Sequence, residues 1–130
     1  MFMLDTNIVS ELVRHPDGSV ARRAAEVSPG LVAVSIIVAA ELRYGAARRG
    51  SHQLTAQLET VLSVLDIVPL EPPADQHYGM IRAELERAGH PIGHNDLLIA
   101  AHARAVGATL VTRNTREFSR VSGLELDDWR

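Results

Sequence analysis

The chain contains no cysteine and no lysine. Without cysteine there is no disulfide, no zinc–thiolate site and no thiol nucleophile, and the composition suits a reducing cytosol, where the protein is expected to work. No apolar run approaches the roughly 18 residues of a membrane span. No basic stretch precedes the first apolar segment, so no signal peptide is expected. The Walker A sequence, the nucleophile-elbow G-x-S-x-G and the dinucleotide glycine fingerprint are all missing. The formal net charge of −3 argues against a strong nonspecific nucleic-acid binder. All thirteen basic residues are arginine. Guanidinium forks suit phosphate. GC-rich coding gives the same bias, however, and composition alone is a weak warrant for function.

What is present is one ordinary domain over residues 1–130, with 46% apolar residues. A domain near this size buries roughly two-thirds of its unfolded surface, enough for a real core. Short apolar runs alternate with helical stretches, the pattern of an α/β fold. Strands are predicted at Phe2–Leu4, Leu31–Val34, Ile67–Leu70, Thr109–Thr112 and Leu124–Leu126. The predicted helices follow Asp5, Ser35, Ser51 and Pro73, with a short one from Ser19 to Val27. Pro29-Gly30 reads as a turn, and Gly50, Gly89 and Gly107 as helix stops. Leu54, Leu58, Val61, Leu62 and Leu65 form the clearest apolar stripe. Another helix opens at Asp96 and is apolar on nearly every side, so it should be the most buried.

Four acids stand where strands end or helices begin: Asp5, Glu41, Asp96 and Glu117. Asp5 follows Phe2-Met3-Leu4. Glu41 lies among Val38, Ala39, Ala40 and Leu42, and glutamate is seldom buried without a partner. Asp96 begins an otherwise apolar helix. Glu117 comes one turn after the fourth strand and Asn114. Each has a plainer reading as well. Asp5 and Asp96 suit helix N-caps, although Thr6, Asn7 and Asn95 stand ready to cap instead. Glu41 and Glu117 could be solvated, and Asn114 reads as a cap. In an open α/β sheet, ligands bind beyond the carboxyl ends of the strands. Acids gathered there repel unless a cation lies between them, and Mg²⁺ or Mn²⁺ is the usual cation for oxygen ligands. The constellation therefore points to metal-assisted phosphodiester chemistry. The six histidines are a poorer lead. Pro91 and Gly93 break helical geometry between His90 and His94, and His15, His52, His77 and His102 read as surface or helix-face residues.

Several segments together resemble the PIN-domain ribonucleases, and among them the VapC toxins of type II toxin–antitoxin pairs. They are Met3–Ile8, Val34-Ser35 with Ala40–Gly45, Ile92–Ala101, Leu110–Phe118 and Asp128-Trp129. Their order and spacing span essentially the whole chain.

The resemblance implies a three-layer α/β fold: a parallel sheet of about five strands in order 3-2-1-4-5, with helices on both faces. It implies Asp5, Glu41, Asp96 and Glu117 as catalytic acids, with Asp5 and Asp96 as the metal ligands. Many PIN domains carry aspartate where Asn114 stands, so the fourth acidic position lies between Asn114 and Glu117. Thr6, Asn7, Ser35 and Asn114 would support the site. Arg113 and Arg116 are candidates for RNA contacts. The cofactor implied is Mg²⁺, with Mn²⁺ as a substitute. The partners implied are an RNA substrate, a second copy in a homodimer and a VapB-like antitoxin, with DNA reached only through that antitoxin. The antitoxin would dock on the helices from Ile36 to Arg49 and from Ser51 to Leu65. The other reading is a catalytically weak PIN-like module whose task is to pair with a DNA-binding partner.

Overall fold

The computed structural model describes residues 1–28 and 30–130; the Pro29 half of the expected turn lies outside them. Its strands are β1 (Phe2–Leu4), β2 (Val32–Ser35), β3 (Asp66–Val68), β4 (Thr109–Val111) and β5 (Glu125–Asp127). They form one sheet, ordered β3-β2-β1-β4-β5, in which every pair is parallel. This is the order that the resemblance implies. The helices are α1 (Thr6–Arg14), α2 (Ser19–Glu26), α3 (Ile36–Arg49), α4 (His52–Ser63), α5 (Ala74–Arg87), α6 (His94–Val106) and the single turn α7 (Thr115–Phe118). Helices α1, α3 and α4 pack together, and α5 packs on α6. Among the described residues, no helix is long and apolar enough to cross a membrane.

Strand β1 lies at the centre, so both its faces are covered. Met3 and Leu4 are both buried, as expected of a central parallel strand. Around them pack Ile8, Val34, Val38, Ile99, Leu110 and Phe118. The chain order fixes what the sheet edge presents. β1 and β4 are neighbours in register, Leu4 opposite Val111. The segments that leave their carboxyl ends, Asp5 onward and Thr112 onward, therefore emerge side by side.

Local chemistry explains most helix ends. Ser35 accepts from the Ile37 amide, and Ser51 from the Leu54 amide. Gly50 and Gly107 close α3 and α6 in the left-handed region, at φ 66° and 69°, where a Cβ would be strained. Some expected boundaries move. β3 is Asp66–Val68 rather than Ile67–Leu70, because Pro69 has no N–H to continue the ladder. β2 and β5 each start and end one residue later than expected. Helix α6 begins at His94, with Gly93 as its N-cap. Asp96 is thus inside the first turn, and neither Asp96 nor Asn95 is the cap.

Candidate active site

Asp5 takes the helix-cap role that the sequence offers as its plainer reading. It is the N-cap of α1, its Oδ1 accepting from the Thr6 amide at 2.8 Å. Its Oδ2 accepts from the Thr112 hydroxyl at 2.7 Å and, more weakly, from the Asn7 amide at 3.4 Å. Thr6 and Asn7 do not take over the cap. Thr6 instead directs its hydroxyl to Glu41 Oε1, at 3.5 Å. Asn7 Oδ1 accepts from the Arg113 amide. Asp5 is 4% exposed. Burial pushes its pKa above the ordinary carboxylate range, and the nearby Glu117 charge adds to this. Donors on Thr112 and Thr6 pull the other way.

Glu41 comes from the middle of α3 and is half-buried. Burial raises its pKa, as does the charge of Asp5, while the Asn95 amide and the Thr6 hydroxyl favour its ionised form. Asp96 is the most perturbed group of the set. Its pKa is raised to about 7, first by burial, then by hydrogen bonding with Glu117, then by the charges of Asp5, Glu117 and Glu41. A first-turn carboxylate gains at most about 1 kcal/mol from the helix dipole at an ordinary surface site. That is too little to keep Asp96 ionised against burial and its acidic neighbours. Glu117 is held by the Asn114 amide, which donates to its Oε2 at 2.9 Å. The next residue, Phe118, is fully buried and anchors the turn. Asn114 occupies the N-cap position of α7 but makes no side-chain cap bond. It orients Glu117 instead.

Asp5 feels the charge of Glu117, Glu41 that of Asp5, and Asp96 those of all three. The fold thus gathers Asp5, Glu41, Asp96 and Glu117 from four segments. No arginine or lysine figures among the groups that set the pKa of Asp5, Glu41 or Asp96. Arg113, which follows Thr112 in the chain, turns to Glu11 in a 2.8 Å ion pair. Its Nε is buried without a partner. Arg116 is exposed beside Glu117.

Carboxylate oxygens without a cation of the chain's own are the ligand type that hard divalent ions take. Among the described residues, no three His, Asp or Glu side chains converge into a ready-made cage.

Three polar residues in and around the site escaped the sequence reading. In the sequence Thr112 reads only as a strand end, yet it is fully buried and donates to Asp5. Asn95 reads as a cap, yet it faces Glu41. His102 reads as a surface or helix-face residue. It is 1% exposed and lies 2.7 Å from Ser35 Oγ, because α6 packs inward on β2 and α3. A hydroxyl directly after an apolar strand was the one available signal for Thr112. His94 is exposed and joins none of these contacts among the described residues.

The PIN domain family matches residues 2–124. Ribonuclease VapC2 of Rickettsia felis is 42% identical over 131 residues, covering 99% of this chain and 98% of its own. The tRNA(fMet)-specific endonuclease VapC of Shigella flexneri is 41% identical, covering 98% and 97%. Among solved structures, VapBC2 from Rickettsia felis, bound to a DNA fragment from its promoter, superposes with a TM-score of 0.92. It is 39% identical and covers 99% of this chain and 98% of that one. With its sheet order, its clustered acids and these full-length relatives, the chain belongs to the PIN-domain family, in its VapC branch.

Proposed function

We propose that the protein is a Mg²⁺-dependent endoribonuclease and the toxin of a type II toxin–antitoxin pair. The observation that carries this reading is the convergence of Asp5, Glu41, Asp96 and Glu117 around Asp96, whose pKa is raised to about 7. The Rickettsia and Shigella relatives, a ribonuclease and a tRNA-specific endonuclease by name, support the substrate class.

Asp5 and Asp96 would hold the ion, with Mn²⁺ as a substitute. Bound there, it lowers the pKa of a coordinated water and offsets charge growing on the phosphate oxygens. The remaining work falls to the chain. Thr112 and the Thr6 amide fix both oxygens of Asp5. Asn114 fixes Glu117, and Asn95 and Thr6 hold Glu41. Glu41 and Glu117 both act on Asp96, and one of them accepts the proton of the attacking water. The new bond joins water oxygen to phosphorus. The bond from phosphorus to the 3′ oxygen breaks, and that oxygen takes up a proton. The products carry a 5′-phosphate and a 3′-hydroxyl. The 2′-hydroxyl takes no part in this displacement, so preference for RNA comes from shape and contacts.

The partner is a VapB-like antitoxin. A groove of about 450 Å³ runs between α1, α3 and α4, lined by Val13, Leu42, Ala46, Leu54 and Leu58 with Arg14 and Arg49 among its polar residues. Thr6 and Glu41 line it too. An amphipathic segment seated there would reach the acids, a helix-in-groove arrangement. The solved VapBC2 assembly is bound to promoter DNA, and DNA contact by this chain is read as indirect, through the antitoxin. The toxin itself is proposed to pair as a homodimer.

The test is cleavage of RNA, transfer RNA first, by wild type and by Asp5→Ala, with Mg²⁺ and with chelator. Cleavage by wild type alone, lost on chelation, supports the reading. Wild-type protein that binds antitoxin but cleaves nothing would leave the binding-module reading in its place.

A further inference from the structure

Among the described residues, the buried polar or charged side chains are Asp5, Ser35, His102 and Thr112. Asp5 and Thr112 belong to the acid cluster. The other two are paired with each other: His102 Nδ1 lies 2.7 Å from Ser35 Oγ. Each sits on an element that carries an acid. Ser35 ends β2 and caps α3, six residues before Glu41. His102 lies on α6, six residues after Asp96. Six residues along a helix is about 9 Å, so the bond ties the two helices well below the acids that they present.

The polarity of the bond follows from what each group must satisfy. Ser35 Oγ already accepts from the Ile37 amide at 3.1 Å. Its hydroxyl proton is free to be donated, and Nδ1 is the acceptor in reach. Nδ1 is then unprotonated and the ring proton sits on Nε2. Nε2 faces the Pro69 carbonyl without a well-aligned hydrogen bond. Burial lowers the pKa of the ring and keeps it neutral, in agreement with this tautomer. An apolar side chain of similar size would fill the space at less cost, because buried polar groups must recover their lost hydration. The cap accounts for Ser35 without His102, so the histidine needs a reason of its own.

We propose that His102 is a positioning residue for the nuclease reaction: through Ser35 it sets α3 against α6, and hence Glu41 against Asp96. The inference rests on the ribonuclease reading above. Apolar packing between the helices is non-directional and tolerates sliding. A hydrogen bond weakens steeply off its axis and does not. Catalysis is sensitive to such sliding, since a displacement of about 1 Å can cost on the order of a hundredfold in rate.

The test compares wild type, His102→Leu and His102→Asn in steady-state RNA cleavage with Mg²⁺. Leucine fills the space without an acceptor. Asparagine places an oxygen close to where Nδ1 stands. The leucine variant should lose about tenfold or more in kcat with KM nearly unchanged, and asparagine should recover most of that loss. A folded leucine variant with wild-type kcat overturns the proposal. So does a loss confined to KM, or an asparagine variant as impaired as leucine. If the leucine variant does not fold, the wild type and His102→Asn carry the test. ¹⁵N NMR must then find Nδ1 unprotonated, and asparagine must keep kcat; the opposite of either overturns it. If wild type itself cleaves no RNA, the ribonuclease reading falls and the tie is judged by amide exchange. In that case His102→Leu should speed exchange of the Ile37 amide by about tenfold, and His102→Asn should leave it near the wild-type rate. Unchanged exchange in His102→Leu would remove the tie.

Discussion

Thr112 and Asp5 stand 107 residues apart in sequence, and a 2.7 Å hydrogen bond from the threonine hydroxyl to Oδ2 joins them in the fold. The same Thr112 oxygen accepts from the Asn114 amide at 3.0 Å. One side chain therefore orients Asp5 and shapes the segment leading to Glu117. Thr112→Val keeps the shape and removes both interactions. It should cost about 1–3 kcal/mol of stability, the scale of a buried group left unpaired. It should also lower cleavage, and Thr112→Ser should restore both. Denaturant titration with unchanged m-value and a lower midpoint checks the first part.

Asp96→Asn should abolish cleavage, with a loss of about a hundredfold or more, the scale of removing one preorganised electrostatic group. It should not lower the melting temperature in chelator above pH 7 and should raise it, since it removes a charge pressed against Asp5, Glu41 and Glu117. A melt showing an unfolded Asp96→Asn protein would make this residue structural and its inactivity uninformative.

The pH dependence of stability follows from the same group. Unfolded Asp96 loses its proton near 3.8, while folded Asp96 holds it to about 7. Between those values the folded state binds more protons than the unfolded state. Stability in chelator should therefore fall as pH rises from about 4 to about 7 and level off above. Asp5 and Glu41, also raised, act in the same direction. An ion that needs ionised ligands competes with those protons. Thermal melts with Mg²⁺ should consequently show more stabilisation at pH 8 than at pH 5. Equal stabilisation at both would place Mg²⁺ away from these acids.

The two arginines near Glu117 should behave differently. Arg113 is committed to Glu11 at 2.8 Å and is only one-third exposed, so Arg113→Ala should lower stability along with any effect on RNA. Arg116 is exposed, and Arg116→Ala should weaken RNA binding with stability unchanged. If Arg116 contacts one phosphate of a single strand, the salt slope should fall by about 0.7. Binding isotherms at several salt concentrations, beside melts of both variants, check the contrast. An unaltered slope in Arg116→Ala would move the phosphate contact elsewhere, with Arg14, Arg43 and Arg48 next in line.

The caps at Ser35 and Ser51 and the stops at Gly50 and Gly107 were legible in the sequence because their partners lie within a turn of them. The sheet order was legible only through family resemblance, since strands of three or four residues carry too little pattern to choose their neighbours. Asp5, Asp96 and Glu117 could be picked out by their places at or near element ends and Glu41 by its apolar neighbours, although the structure puts Glu41 in the middle of α3 rather than at its start, and the fold brings the four together. What stayed hidden was the long-range pairing of polar groups. Nothing near Thr112 names Asp5, and nothing near His102 names Ser35. The start of α6 also moved, because Gly93 caps by backbone conformation alone and leaves no side-chain signature.

The position of β1 between β2 and β4 has a consequence for synthesis of the protein. A growing chain that ends after α5 already contains Asp5 and Glu41 but neither Asp96 nor Glu117, and one flank of its first strand still has no partner. Pairing β1 with β4 closes a loop of about a hundred residues, the kind of distant contact that forms late. On the proposed function, a ribosome making this chain would therefore not be exposed to a working nuclease on its own nascent product. The full set of acids would assemble only when residues 109–117 emerge, which would leave the whole time of translation for a partner to be made and waiting.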